Sequence, residues 1–200
     1  MIADRLNRLA RRVPAAVLYV LGLLQALWLF YLGATGGLGV EPIKALEHEL
    51  GEIALQLVIA GLCITPLRRF AGINLLKFRR ALGLMAFFFV TLHLLVWLVL
   101  DVQIPALIWA DILKRPYITV GMLAFALMIP LAMTSNGWSV RRLGARWRKL
   151  HRLTYAVAVL GGIHFLWLVK GFQIEPILYL AAIMLLLALR VRPVRRKQAA

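Results

Sequence analysis

Apolar residues in this chain come in blocks about as long as a bilayer is thick, separated by short connectors rich in glycine, proline and charge. The blocks predict six membrane-spanning helices, about 13–33, 50–66, 81–100, 117–134, 154–170 and 174–190. The last is short unless Ile174 and Arg190 sit at the interfaces. No internal repeat, low-complexity tract or soluble domain is visible. The expected fold is an all-α integral membrane protein, a single six-helix transmembrane bundle over 1–200. Pro130 is expected to kink the fourth span near its inner end. Trp28, Tyr31, Trp97, Trp109, Trp167 and Tyr179 mostly fall near span ends, as an aromatic belt requires.

Charge orients the bundle. The 200 residues are 62% hydrophobic, with a mean hydropathy of +0.84, yet carry a net charge of +16. Of the 24 Lys and Arg, 20 lie in the N-terminal segment, the second-to-third connector, the fourth-to-fifth connector and the tail. By the positive-inside rule both termini are cytoplasmic. Seven of the eight acidic residues (Glu41, Glu47, Glu49, Glu52, Asp101, Asp111 and Glu175) fall on the opposite side. Topology and anionic lipid headgroups therefore account for the charge, and nucleic acid is not an expected partner. The first 14 residues resemble a signal-peptide basic region, but the apolar run after them is longer than the roughly 7–15 residues of a signal core, so an uncleaved first helix is expected. Cys63 is the only cysteine, which excludes disulfides within the chain and cysteine metal clusters. No Gly-rich dinucleotide fingerprint is present, so no nicotinamide site is assigned.

Two histidines interrupt the apolar blocks. His93 lies 13 residues from Arg80 and His164 lies 12 from Arg152, roughly 20 Å and 18 Å from the cytoplasmic side. An ionisable residue at such depth is costly and needs a partner. A lone histidine of this kind is ordinarily a hydrogen-bonded packing residue. Two at one depth on separate helices also meet the needs of a six-coordinate b-type heme, with neutral nitrogen donors opposed across an apolar ring. The absence of CxxCH rules out covalent c-type attachment. Phe89, Leu92, Trp97, Ile163 and Phe165 are candidate walls, and Gly161 and Gly162 would admit the ring plane to the helix backbone. His151, 13 residues before His164, could serve a second, inner heme, although that spacing leaves the two about 140° apart on an ideal helix. His48, between Glu47 and Glu49, suits a quinol site or simply water.

The strings ITPLRR (64–69), RRALGLMAFFFVTLH (79–93), LKRPYITVG (113–121), PLAMTS (130–135) and RRLGARWRKLHRLTY (141–155), with His164, resemble the MsrQ (YedZ) family, the heme-binding membrane subunits of the periplasmic methionine sulfoxide reductase system. The resemblance runs from the first span to about residue 180. It implies a bacterial inner-membrane b-type cytochrome passing electrons to a periplasmic molybdopterin enzyme, MsrP. It also implies a ferric-reductase-like transmembrane domain in which paired histidines hold two stacked hemes. His93 and His164 correspond to the outer pair and His151 to one inner ligand. The other inner ligand is expected 13 or 14 residues before His93, where this chain has Arg80 and Arg79. No flavin-and-nicotinamide domain follows the last span, so the expected donors are membrane quinols or FMN supplied by a separate cytosolic flavin reductase.

The reading is thus an electron-transfer subunit rather than a stand-alone enzyme. Heme b, one or two, is held by His93 and His164, with His151 for the second. Arg79, Arg80 and Arg148 are candidates for inner propionates, and Lys114, Arg115 or Lys170 for outer ones. Glu41, Glu47, Glu49 and the loop 111–116 are candidates for docking the partner. Rival readings are a quinol- or flavin-linked ferric reductase or b561-like protein, and a proton-coupled transporter using His93 and His164 as a relay.

Overall fold

Each apolar block becomes helix, and no strand forms among the described residues, 2–169 and 171–190, of the computed structural model. Pro14 separates α1 (Ile2–Arg12) from α2 (Ala16–Ala34). The basic segment expected to lead into the first span is therefore a helix of its own. Asn7 pins it to the loop at 71–75, beyond the third helix, donating to Gly72 O at 3.0 Å and accepting from Asn74 N at 2.8 Å.

α3 (Pro42–Phe70) departs most from expectation, extending the predicted 50–66 at both ends. It opens with proline at the first turn, where a missing N–H costs nothing. It also continues through Pro66, the predicted end of this span. Proline at 66 leaves the Leu62 carbonyl without its helical donor. Arg190 Nη2 fills the gap at 2.5 Å, and its Nη1 donates to Tyr155 OH at 3.1 Å.

A 3₁₀ turn (Leu76–Phe78) leads into α4 (Arg79–Val96), which widens into a π-helical turn at Trp97–Val102. The connector that follows forms α5 (Pro105–Lys114), none of whose residues is buried. α6 (Pro116–Met133) contains Pro130. The connector after α6 folds as α7 (Gly137–Leu143), capped by Asn136 Oδ1 accepting from Ser139 N, and α8 (Ala145–Leu150). α9 (Leu153–Leu168) and α10 (Ile174–Ala188) complete the chain described.

α3 packs along α4, α6 along α9, and α10 leans on both α9 and α3. Phe89, Met85, Leu50 and Ala26 fill the α2–α3–α4 interior, whereas Ala86, Met128 and Val157 join α4, α6 and α9. Large apolar side chains such as Leu27, Leu123 and Leu185 point outward, as lipid contact requires. Among the described residues four helical stretches are long and apolar enough to cross a membrane: Ala16–Ala34, Pro42–Phe70, Leu76–Val102 and Pro116–Met133. α9 and α10, at 16 and 15 residues, fall below the ~20 of a full span.

Candidate functional site

His93 on α4 and His164 on α9 line one cavity of about 340 Å³ enclosed by α3, α4, α6 and α9. Their ring centres are 6.2 Å apart with planes at 84°. His93 Nδ1 lies 2.8 Å from the carbonyl oxygen of Glu47, and His164 Nδ1 lies 2.7 Å from that of Tyr117. A carbonyl only accepts, so each Nδ1 carries a proton, and because an unpaired charge is costly in an apolar cavity each Nε2 keeps its lone pair. Both imidazoles are thus neutral single-nitrogen donors held by their far side, the arrangement that orients a metal ligand. Two metal–imidazole bonds of about 2 Å each, extended through the rings, place the ring centres roughly 6 Å apart, so the spacing present fits two axial ligands of one metal.

The two halves of the site repeat each other. The carbonyl and histidine are 46 residues apart in one half and 47 in the other. At the opposite end of these helices Arg79 Nη2 donates to Thr65 Oγ1 at 2.5 Å, and His151 Nε2 lies 3.0 Å from Thr134 Oγ1. The α3–α4 and α6–α9 hairpins therefore carry matching polar contacts at both ends. The correspondence escapes a sequence search for repeats because it rests on a few scattered positions, and at some of them, Arg79 and His151 or Glu47 and Tyr117, the residue types differ.

The cavity wall is only partly the expected one. Trp97, Gly161 and Phe165 line it, joined by Leu55, Val58 and Val90. Phe89 and Leu92 instead pack in the α2–α3–α4 interior, because the face of α4 they occupy meets α2. Gly162 admits Leu180 and Ile183 of α10 rather than a ring plane, and Ile163 lies outside the wall. At the mouth stand Lys44, Glu47, His48, Glu52, Asp101 and Arg115. His48 thus borders the cavity. Of the three outer cations named for propionates, Arg115 lines the mouth and ion-pairs Asp111 at 3.2 Å, Lys114 does not line it, and Lys170 lies outside the described residues. Glu41 pairs with Lys44 at 2.8 Å, and Glu49 is exposed.

His151 stands apart from this cavity. It occupies the turn between α8 and α9, so no continuous helix fixes its azimuth to that of His164. Its ring stacks on Trp147 at 3.9 Å, while Trp147 Nε1 donates to Thr134 O at 2.9 Å. Burial holds the His151 imidazole below its ordinary pKa, favouring the neutral form. Arg80 and Arg148 are exposed.

Sequence reasoning missed a polar cluster beside the cavity. Glu52 Oε1 accepts from Gln56 Nε2 and from Tyr179 OH, both at 2.8 Å, and Tyr179 stacks edge-on against Phe165. The i, i+4 spacing of Glu52 and Gln56 was the available signal, but Tyr179 is 127 residues from Glu52. Tyr179→Phe is expected to lower unfolding stability in detergent by about 1 kcal/mol, the worth of a hydrogen bond between membrane helices. A thermal melt unchanged from the parent would show the cluster to be energetically idle.

Residues 50–162 match the family described as "Ferric reductase like transmembrane component". The chain is also 51% identical, over 92% of its length and 87% of the other's, to the protein-methionine-sulfoxide reductase heme-binding subunit MsrQ of Agrobacterium fabrum (strain C58). It is 53% identical, over 86% of its length and 81% of the other's, to the protein of that name from Rhizobium meliloti (strain 1021). The Brucella ovis protein of that name is 48% identical, covering 90% of this chain and 83% of its own. No solved structure matches the chain.

Proposed function

The chain belongs to the MsrQ family of protein-methionine-sulfoxide reductase heme-binding subunits, and from that premise we propose that it is a b-type cytochrome carrying electrons across the bacterial inner membrane to a periplasmic molybdopterin methionine sulfoxide reductase. Its role there is the repair of oxidised periplasmic proteins. The observation that carries the reading is the pair His93 and His164, whose Nδ1 atoms are tied to backbone carbonyls and whose rings share one cavity 6.2 Å apart. When bound, heme b supplies a one-electron redox centre within the apolar layer.

The chain's own groups then have definite tasks. Glu47 O and Tyr117 O hold the two imidazoles in one tautomer, so that Nε2 of each would be the ligand. Leu55, Val58 and Phe165 keep the site apolar and exclude water. Arg115 and Lys44 supply positive charge at the mouth, where acidic substituents of the cofactor would emerge. The charge partition supports six spans, α2, α3, α4, α6, α9 and α10, with both termini cytoplasmic. On that orientation Arg79, Arg80 and Arg148 form a basic inner face suited to a donor, either a quinol or an FMN brought by a cytosolic flavin reductase. His151 Nε2 is taken up by Thr134 Oγ1, which supports a hydrogen-bonded inner histidine in place of a second pair of ligands. The ferric-reductase match supports one other reading, direct reduction of external ferric chelates by the same centre.

The test is a dithionite-reduced minus oxidised spectrum, with pyridine hemochrome quantification, of the full chain purified from heme-replete cells. A b-type spectrum reoxidised by the periplasmic reductase and methionine sulfoxide is expected. Reoxidation by ferric chelate alone would favour the ferric-reductase reading. A colourless protein would overturn both and leave the histidine relay.

A further inference from the structure

Each cavity histidine rests on a helix backbone at a position that has no side chain. A Cβ added at Gly51 would lie 3.0 Å from His93 Nδ1 and 3.2 Å from its Cε1. One added at Gly121 would lie 2.7 Å from His164 Nδ1 and 2.8 Å from its Cε1. Both glycines stand four residues after the carbonyl their histidine uses, Glu47 for Gly51 and Tyr117 for Gly121.

That spacing has a geometric cause. In α3 and α6 the carbonyl at position i already accepts the helical N–H of residue i+4, and its second lone pair is what an imidazole can reach. An imidazole using that lone pair lies across residue i+4. The Cα–Cβ bond of residue i+4 tilts toward the helix N-terminus, over the carbonyl itself. A side chain there and the imidazole compete for one space, and both halves of the site resolve the competition with glycine.

We propose that Gly51 and Gly121 are positioning residues, whose missing side chains let His93 and His164 seat Nδ1–H on the carbonyls of Glu47 and Tyr117, fixing both rings as Nε2 ligands at their observed mutual angle. The inference rests on the heme reading above and adds to it the groups that set ligand tautomer and ring plane. It also ranks them. Below 3.0 Å the ring must move, whereas at 3.0–3.2 Å a yield of a few tenths of an ångström suffices, so Gly121 is the stricter of the two.

The test uses the full chain, heme-loaded, in detergent, as Gly121→Ala and Gly51→Ala, with Gly61→Ala and Gly83→Ala as controls. An added Cβ meets nothing within 4 Å at either control position. Low-temperature EPR reads axial ligation, heme titration reads affinity and a redox titration reads the midpoint potential. Gly121→Ala is expected to lose the low-spin bis-imidazole signal and to weaken heme binding roughly 10–100-fold, the usual effect of removing the groups that orient a ligand. Gly51→Ala should keep its heme while its g-values and midpoint potential shift, and both controls should match the parent. A parent-like EPR spectrum and affinity in Gly121→Ala, or equal losses in the controls, would overturn the proposal. Should Gly121→Ala fail to fold, Gly51→Ala decides, with unshifted g-values and potential counting against it. A heme-free parent would instead refute the function proposed above. In that event ¹⁵N histidine shifts of the apoprotein still test the seating, with Nδ1–H tautomers expected in the parent and mixed tautomers in Gly51→Ala.

Discussion

Replacing His93 or His164 with alanine is expected to abolish the low-spin b-type signal and to lower bound heme at least tenfold, while His151→Ala and His48→Ala leave that signal in place. The two cavity histidines are the groups whose free Nε2 serves one volume, since Glu47 O and Tyr117 O occupy the other nitrogen of each. Removing one ring leaves a single tether in an apolar cavity, and second-sphere losses alone already cost about 10–100-fold in affinity. His151 engages Thr134 and Trp147, and His48 stands at the mouth, so neither is placed to substitute. Pyridine hemochrome assay and EPR on the purified variants check this. Retention of the parental low-spin signal by His164→Ala would place the ligands elsewhere.

The pairing of His93 and His164 was legible in the sequence because an imidazole in an apolar block stands out by chemistry, and residue counts from the basic flanks put the two at one level. The helices were legible for a related reason: backbone groups in hydrocarbon must bond within their own segment, so an apolar run of sufficient length has little choice of structure. What hid from the sequence were contacts made by backbone. Glu47 and Tyr117 act through carbonyls, which every residue possesses, and Gly51 and Gly121 act through absent atoms. Nothing in a side-chain pattern distinguishes such glycines from those that merely ease helix packing, as Gly162 does against Leu180 and Ile183. The resemblance between the two hairpins was hidden likewise, since only the threonine is common to the pairs Arg79 with Thr65 and His151 with Thr134, and their partners differ in type.

Pro66 marks a span end in the sequence yet lies inside α3, because a distant side chain takes over the bond it breaks. A proline inside a helix ordinarily ends or kinks it, because the carbonyl four residues back loses its donor and the ring crowds that turn. In a membrane the helix continues where a neighbour re-satisfies the freed group. Arg190, 128 residues from Leu62, does so across α10 and α3, and its ring contact with Tyr155 at 5.2 Å braces α9 as well. Leu62 is 1% exposed, so no water replaces the guanidinium if it is removed. Arg190→Ala is therefore expected to cost about 2–3 kcal/mol, the cost of stranding a buried acceptor that had a charged donor. Pro66→Ala restores an N–H to α3 and returns the Leu62 carbonyl to its helical partner. In that background Arg190→Ala should cost at least about 1 kcal/mol less, a coupling well above the roughly 0.3–0.5 kcal/mol within which independent sites add. Thermal unfolding of the four chains in one detergent measures the cycle. Strictly additive losses would mean that Arg190 stabilises α10 through Tyr155 alone and that α3 passes Pro66 without its help.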